Sequence, residues 1–269
     1  MRHPYFDLPT PIVIGHRGAA GERPENTLPS FARARDLGAA ILETDAHPTR
    51  DGAVVLFHDE TLERTTDGTG RISDHTLAEL RALDAGFRFT PDEGGSFPFR
   101  GHGVRIPTLE EALSAMPDAR LNIELKQHAP GFLERVIGIL RDAGREETTL
   151  LTAGEDPIMA ALRETGRRVR ARVALGASAG DVLRFVRAAL DAAKPDPEVM
   201  ALQIPAEFAG QPLVTPRLVA HARSHGVHVH VWTINAVEEM DRLLDLGVHG
   251  LVTDYPATLA SVIARRAGR

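Results

Sequence analysis

The sequence predicts an α/β fold, a (β/α)8 barrel of the TIM type with an insertion after the second strand. Three observations lead there. Apolar runs of strand length recur eight times, each followed by a stretch of helical period, which argues for parallel strands closing into a barrel. The chain has 269 residues, a length at which α/β barrels run as one domain, here spanning 1–269. The ionisable residues that stand out sit at or just past the ends of those runs, where such barrels carry their chemistry.

Taken in order, the first strand is Pro11-Ile12-Val13-Ile14, running into Gly15-His16-Arg17-Gly18. A helix follows from an Asn26-Thr27 cap, with Pro29 in its first turn and Gly38 as its stop. Ala39-Ala40-Ile41-Leu42 then opens a buried strand closed by Glu43-Thr44-Asp45, before the polar turn Thr49-Arg50-Asp51-Gly52. Beyond it Ala53-Val54-Val55-Leu56-Phe57 reads as a hairpin arm returning to the same rim and ending in His58-Asp59. The insertion, at about 60–105, is rich in Gly, Thr and Asp, with one short helix capped by Thr76 and Glu79. Thr108-Leu109-Glu110-Glu111 opens another helix, and the third strand delivers Glu124 and Lys126. Phe132, Leu133, Val136, Ile137 and Leu140 follow a helical period, and Thr149-Leu150-Leu151-Thr152 reads as a strand. Helices are expected near 157–164, 181–192, 216–225 and 236–246, strands near 169–174, 200–204, 227–232 and 250–253, and a last helix at 256–265.

Composition narrows the function. Hydrophobic residues make up 43% and charged residues 25%, values of an ordinary globular domain. A formal net charge of −6 gives no basic face for nucleic acid, so an anionic substrate must be held by a few local cations or a metal. The absence of cysteine rules out disulfides, a thiol nucleophile and Cys-ligated zinc. No apolar run approaches the roughly 20 residues of a transmembrane segment. The N-terminus lacks the apolar core of a secretory signal, so a cytoplasmic location is expected.

Side chains two apart on a strand point the same way. Glu43 and Asp45 thus present two carboxylates side by side, which calls for a positive charge between them, most simply a hard divalent cation. Glu124 and Lys126 form a second such pair, so in one parallel sheet three carboxylates and an ammonium converge at one rim.

His16-Arg17-Gly18, Glu25-Asn26-Thr27, Glu43-Thr44-Asp45, Thr49-Arg50-Asp51-Gly52, His58-Asp59, Ile106-Pro107-Thr108-Leu109-Glu110-Glu111, Glu124-Leu125-Lys126, Val231-Trp232-Thr233-Ile234-Asn235 and Thr253-Asp254 occur in an order that resembles the glycerophosphodiester phosphodiesterase family. The resemblance covers nearly the whole chain. It implies metal-dependent hydrolysis of glycerophosphodiesters to sn-glycerol 3-phosphate and an alcohol. It also implies Glu43, Asp45 and Glu124 as metal ligands, His16 and His58 as the catalytic acid/base pair, and Arg17 and Lys126 as phosphate contacts. The insertion matches that family's in position.

The same chemistry follows from the residue types. Oxygen ligands favour one Mg2+ or Ca2+ over zinc, and the cation would polarise the phosphoryl group. Two imidazoles titrating near ~6.5 can act as base and acid at neutral pH. Arg17 offers a planar fork for phosphate oxygens and Lys126 a point charge. The nucleophile is either a neighbouring glycerol hydroxyl of the substrate or a water. Trp232, the single tryptophan, is expected to wall the glycerol or alcohol moiety as a substrate-binding residue.

Other residues carry plainer readings. Asp59 is expected to orient His58, Asp254 to cap the last helix, and His47 and His75 to sit on the surface. Gly15-His16-Arg17-Gly18 is no dinucleotide loop, since it lacks the Gly-x-Gly start. Thr44 and Ala46 depart from the family pattern, as does Leu151-Thr152-Ala153-Gly154-Glu155 after the fourth strand; these changes bear on the leaving-alcohol pocket and leave the metal site untouched. Phe87, Phe89, Phe97 and Phe99 read as the insertion's own small core, with an acyl-binding lip as the rival. Two alternatives therefore stand beside the diesterase: a lysophospholipase D using the same site, and a non-catalytic binder of glycerophosphodiesters.

Overall fold

The computed structural model describes residues 3–268. Its strands are β1 (Ile12–Gly15), β2 (Ile41–Pro48), β3 (Val54–Leu56), β4 (Arg120–Leu125), β5 (Thr149–Thr152), β6 (Ala174–Leu175), β7 (Ala201–Pro205), β8 (Glu207–Phe208), β9 (Gln211–Pro212), β10 (His228–Trp232) and β11 (Gly250–Thr253). Eight of them run parallel in the order β6-β5-β4-β2-β1-β11-β10-β7, the nearly closed barrel that the alternating pattern implies. Between β6 and β7 a single backbone bond, from the Met200 N–H to the Leu175 carbonyl at 3.2 Å, takes the place of a ladder. β3 is the expected hairpin arm, antiparallel to β2 with Ala46 opposite Leu56.

Helices α1 (Leu28–Asp36), α2 (Leu77–Arg81), α3 (Leu109–Ala115), α4 (Phe132–Asp142), α5 (Asp156–Val169), α6 (Ala179–Asp191), α7 (Pro216–Ser224), α8 (Val237–Leu246) and α9 (Pro256–Ala267) complete the alternation. Local chemistry sets their starts. The Thr27 hydroxyl accepts from the Ser30 N–H, and Thr76 with Glu79 and Thr108 with Glu111 form full capping boxes. Asn26, expected to share the first cap, does not; its amide turns to the barrel mouth.

Two expectations about strands shift. The segment expected to be extended from Val169 is still helical there, because α5 ends only where Arg170 adopts a left-handed conformation (φ 54°) after the basic Arg167 and Arg168. β6 is therefore reduced to two residues. A small hairpin, β8 with β9, projects beyond β7 and was not anticipated.

Outside the barrel, β-strand side chains pack under the helices in two large clusters, one around Leu42, Leu121, Ile137 and Leu151, the other around Leu202, Val229, Val231 and Leu251. The barrel floor is plugged by the N-terminal 3-10 turn Pro4–Phe6, whose Tyr5 ring meets Phe6 edge-on at 5.0 Å and packs with Ile12, Ile14, Ile41 and Val252. Above this floor the interior turns polar with Asn122, Gln203 and His230, all inward-facing groups with buried atoms that lack a protein partner. Burial drives the His230 imidazole down to about 3, so it is neutral.

The insertion builds its own core from Val55, Phe57, Leu62, Ile72, Leu80, Val104 and Ile106, with Phe99 packed against it. The Arg100 guanidinium stacks on Phe87 and Phe97 at 4.3 and 3.8 Å, and Phe89 meets Phe99 edge-on. Of the four rings only Phe99 packs on this core; Phe87, Phe89 and Phe97 are half-buried outside it, which corrects the expectation that all four would form it.

Candidate active site

The end of β2 carries Glu43 and Asp45, and its register against β4 sets Asp45 opposite Glu124. Two-residue spacing in adjacent parallel strands thus gathers the acids that the sequence pairs separately. Lys126 follows directly, its Nζ 3.0 Å from Asp45 Oδ1 and 2.8 Å from Glu124 Oε2. Burial works against the ammonium, but these two carboxylates outweigh it and its pKa is raised. Asp45 is 1% exposed, so its charge needs every partner it has. Its Oδ2 accepts from Asn26 Nδ2 at 3.1 Å and lies 3.4 Å from Arg17 Nε.

Thr44, on the opposite face of β2, is not idle. Its hydroxyl donates to Asn26 Oδ1 at 2.7 Å, which fixes the amide so that Nδ2 faces Asp45. The departure at Thr44 therefore acts on the carboxylate cluster through Asn26, correcting the expectation that it left that cluster untouched.

Glu43 is the least comfortable of the acids. Burial first and Asp45 second push its carboxyl up to about 7, against the pull of His16 and Arg17. Its Oε2 accepts the Arg17 backbone N–H at 2.9 Å. That amide is aimed by an unusual turn: Arg17 has φ 48° and the next residue φ 89°, a conformation in which Gly18 also makes way for Ser30, whose carbonyl carbon a Cβ would meet at 2.6 Å. The Arg17 side chain bonds Glu25 at 2.9 Å.

Both histidines are gripped at Nδ1. His16 donates to Asp254 Oδ1 at 2.7 Å, and His58 to Asp59 Oδ1 at 2.6 Å. Asp254 in turn accepts from Asn235 Nδ2 at 2.7 Å, while Asn235 Oδ1 accepts the Asp254 N–H. The last helix begins after Tyr255 without a side-chain cap, so Asp254 holds His16 instead of capping α9. Burial pulls the His16 pKa down, but the Asp254 bond and the Glu43 charge win and raise it. Asp59 is held low by Arg64 and His58, which outweigh burial.

Trp232 ends β10 at the same rim and is 44% exposed, so it is not core filler. His47, expected on the surface, is instead 1% exposed, with Nε2 donating to the His58 carbonyl at 3.1 Å. Burial holds its pKa low. His75 does lie on the surface side of the insertion, bonded to the Arg71 carbonyl.

Sequence reasoning passed over Glu25, Asn26, Arg64 and Asn235 as site residues. Glu25-Asn26 and Asn235 stood within the family motifs without a site role assigned to them, and nothing local marks Arg64. A cavity of about 760 Å³ opens beside His58 and Lys126, bounded by Glu60, His128 and Glu155. Another of the same size at the opposite end of the barrel, lined by His3, Phe6 and His225, holds none of these strand-end acids.

The donors suit a hard cation. Three carboxylates supply only oxygen, and a half-buried Glu43 beside the buried Asp45 is the kind of charge conflict that a cation relieves. Among the described residues, however, no three His, Asp or Glu groups stand as a ready ligand cage, and Lys126 bridges Asp45 and Glu124.

A sequence model of the "Glycerophosphoryl diester phosphodiesterase family" matches residues 16–258. A glycerophosphodiester phosphodiesterase of Caldanaerobacter subterraneus subsp. tengcongensis is 33% identical over 94% of this chain and 98% of its own. The human protein named lysophospholipase D GDPD1 is 29% identical over 91% and 84%. Among solved structures, an Oleispira antarctica phosphodiesterase in complex with the product sn-glycerol-3-phosphate superposes with a TM-score of 0.74 at 28% identity, covering 97% of this chain and 99% of that one. A family match over most of the chain, on a barrel whose rim gathers these residues, has one meaning: the chain belongs to the glycerophosphoryl diester phosphodiesterase family.

Proposed function

We propose that the protein hydrolyses glycerophosphodiesters to sn-glycerol 3-phosphate and an alcohol in a reaction that depends on a divalent cation and uses His16 and His58 as its acid/base pair. The observation that carries this reading is the pair of imidazoles, each tied to a carboxylate through Nδ1 with Nε2 left for reacting groups, at the rim that also holds Arg17 and Lys126. A pure binder has no use for two such dyads.

His16 is suited to be the base. Asp254 fixes its tautomer and stabilises the imidazolium that forms when Nε2 takes the proton of the attacking hydroxyl, whether a water or the glycerol's own. His58, beside the cavity of about 760 Å³, is suited to return a proton to the departing alkoxide as the P–O bond breaks. Arg17 and Lys126 offset charge on the phosphoryl oxygens. Glu43, Asp45 and Glu124 would hold the cation, magnesium or calcium by their chemistry, and when bound it supplies Lewis-acid polarisation of the phosphoryl group.

The lysophospholipase D reading draws on the name of the human relative. It needs an apolar path for an acyl chain, and the half-buried Phe87 and Phe97 of the insertion are stacked on Arg100. The test is release of glycerol 3-phosphate from a panel of diesters and lysophospholipids, with and without chelator. Turnover of the diesters, abolished by chelator and by His16→Ala or His58→Ala with the fold intact, is expected. Full activity in either variant would remove the acid/base assignment, and binding without turnover would make the protein a binder.

A further inference from the structure

Resting on that reading, we infer that Asn235 is a positioning residue for the reaction, the third member of a line His16, Asp254, Asn235, in which its amide aims the carboxylate that His16 depends on. The backbone at the other end of that line is already pinned. β1 runs parallel to β11 with Gly15 opposite Thr253, and the His16 N–H donates to the Thr253 carbonyl at 2.9 Å. What stays free to turn is the Asp254 side chain, half-buried at the rim just past the end of β11. Turned away from His16, it would leave Nδ1 without its acceptor.

Asn235 reaches Asp254 from the neighbouring strand. Beyond β10 the chain stays laid against β11, the Ile234 N–H donating to the Val252 carbonyl at 2.9 Å, which brings residue 235 level with Thr253 and Asp254. There Asn235 Oδ1 accepts two bonds at 3.0 Å, from the Thr253 hydroxyl and from the Asp254 N–H. A backbone N–H can only donate, so the amide has a single orientation and its Nδ2 faces Asp254 Oδ2, at 2.7 Å. The Thr253 hydroxyl is itself held, accepting the Tyr255 N–H at 3.1 Å. One amide thus grips both the backbone and the carboxylate of Asp254, leaving Oδ1 for His16. Its neutrality matters as well. Arg64 brings a positive charge to the carboxylate of the other dyad, whereas Asn235 orients Asp254 and leaves its negative charge to stabilise an imidazolium at His16. Asn235 is exposed, so its bonds add little to stability and their main effect is orientation.

The experiment separates anchoring the loop from aiming the carboxylate. Asn235→Asp keeps an acceptor for Thr253 and for the Asp254 N–H, but sets an oxygen against Asp254 Oδ2. With glycerophosphocholine as substrate, Asn235→Asp and the uncharged Asn235→Ala should each lower kcat by roughly tenfold with KM nearly unchanged, the effect of about one hydrogen bond to a charged group. Asp254→Asn alone should lose on the order of a hundredfold, because Asn235 Nδ2 draws the oxygen of the new amide and turns its NH2 towards His16. Adding Asn235→Asp to Asp254→Asn reverses that pull: the carboxylate at 235 takes the NH2, the oxygen at 254 returns to Nδ1, and kcat should recover roughly tenfold over Asp254→Asn. In proton NMR, the deshielded imidazole N–H resonance that His16→Ala removes should be present in the wild type, lost in Asp254→Asn and restored in the double variant. An unchanged kcat in Asn235→Asp, a double variant no faster than Asp254→Asn, or a fall in kcat that tracks unfolding by circular dichroism would overturn the positioning role while the hydrolase reading stands. Failure of the wild type to release glycerol 3-phosphate from any diester would instead strike the hydrolase reading itself, and the role of Asn235 with it.

Discussion

Both terminal nitrogens of Arg64 lie 2.7 Å from the two carboxylate oxygens of Glu25, a bidentate pair joining residues 39 positions apart. The same guanidinium reaches Asp59 through Nε, and Glu25 also holds Arg17. A chain of alternating charge therefore runs Arg17, Glu25, Arg64, Asp59, His58, and its middle link comes from the insertion. The insertion is thus tied both to Arg17, the proposed phosphate contact, and to His58, the proposed acid.

Arg64→Met is expected to lower kcat by roughly tenfold or more with a smaller change in KM, because Asp59 loses the partner that fixes it and His58 loses its alignment. Steady-state kinetics with added guanidinium chloride check this. Partial recovery of kcat by the free cation is the signature of positioning, and an unchanged kcat would refute it.

Glu25 titrates at about 2, since its bonds with Arg64 and Arg17 outweigh burial. A carboxyl depressed in the folded state adds stability that is complete above its unfolded pKa, near 4.5, and that is lost as the pH falls towards 2. Arg64→Met should therefore lose on the order of 1 kcal/mol of stability at neutral pH, a modest figure because Arg64 is 47% exposed. The difference from wild type should shrink below pH 4.5, as followed by urea unfolding at a series of pH values.

Asp254→Asn should cut kcat by on the order of a hundredfold while the protein stays folded, because an amide cannot hold His16 in the same tautomer or stabilise its imidazolium. The limb of the pH-rate profile that belongs to the base should also move to lower pH, as His16 loses the bond that raises its pKa. A profile identical to wild type would leave Asp254 a merely structural residue.

Glu43→Gln and Glu124→Gln should each raise the magnesium or calcium concentration needed for half-maximal activity by roughly tenfold or more, each variant lacking one charged oxygen donor. An unchanged titration in both would count against the ligand set. Retention of the fold, read by circular dichroism, separates loss of cation from loss of structure.

The barrel and the strand-end acids were legible because their signals are local. Glu43 with Asp45, and Glu124 with Lys126, are two apart, and a period of two needs no tertiary knowledge. What escaped was long-range or hidden by a competing local reading. Asp254 meets His16 across 238 positions, and the cap proposed for it before Pro256 was plausible until Asn235 claimed its other oxygen. Asn26 beside Thr27 looked like half a cap, although the hydroxyl alone suffices for α1 and the amide is free to reach Asp45. His47 follows two acids on the same strand face, a periodicity that could have placed it inside. The two-residue β6 lost its expected start because α5 outran the pattern that defined it.

The missing ladder between β6 and β7 has a consequence for how the molecule yields. In the circular order of strands that gap is diametrically opposite the β1–β2 pair, which carries His16, Glu43 and Asp45. Thermal breathing of the wall is therefore expected to concentrate at Leu175 and Met200, where one backbone hydrogen bond joins β6 to β7. Amide hydrogen exchange is expected to begin along that side, with the strands bearing Glu43, Asp45 and Glu124 the last part of the cylinder to come apart.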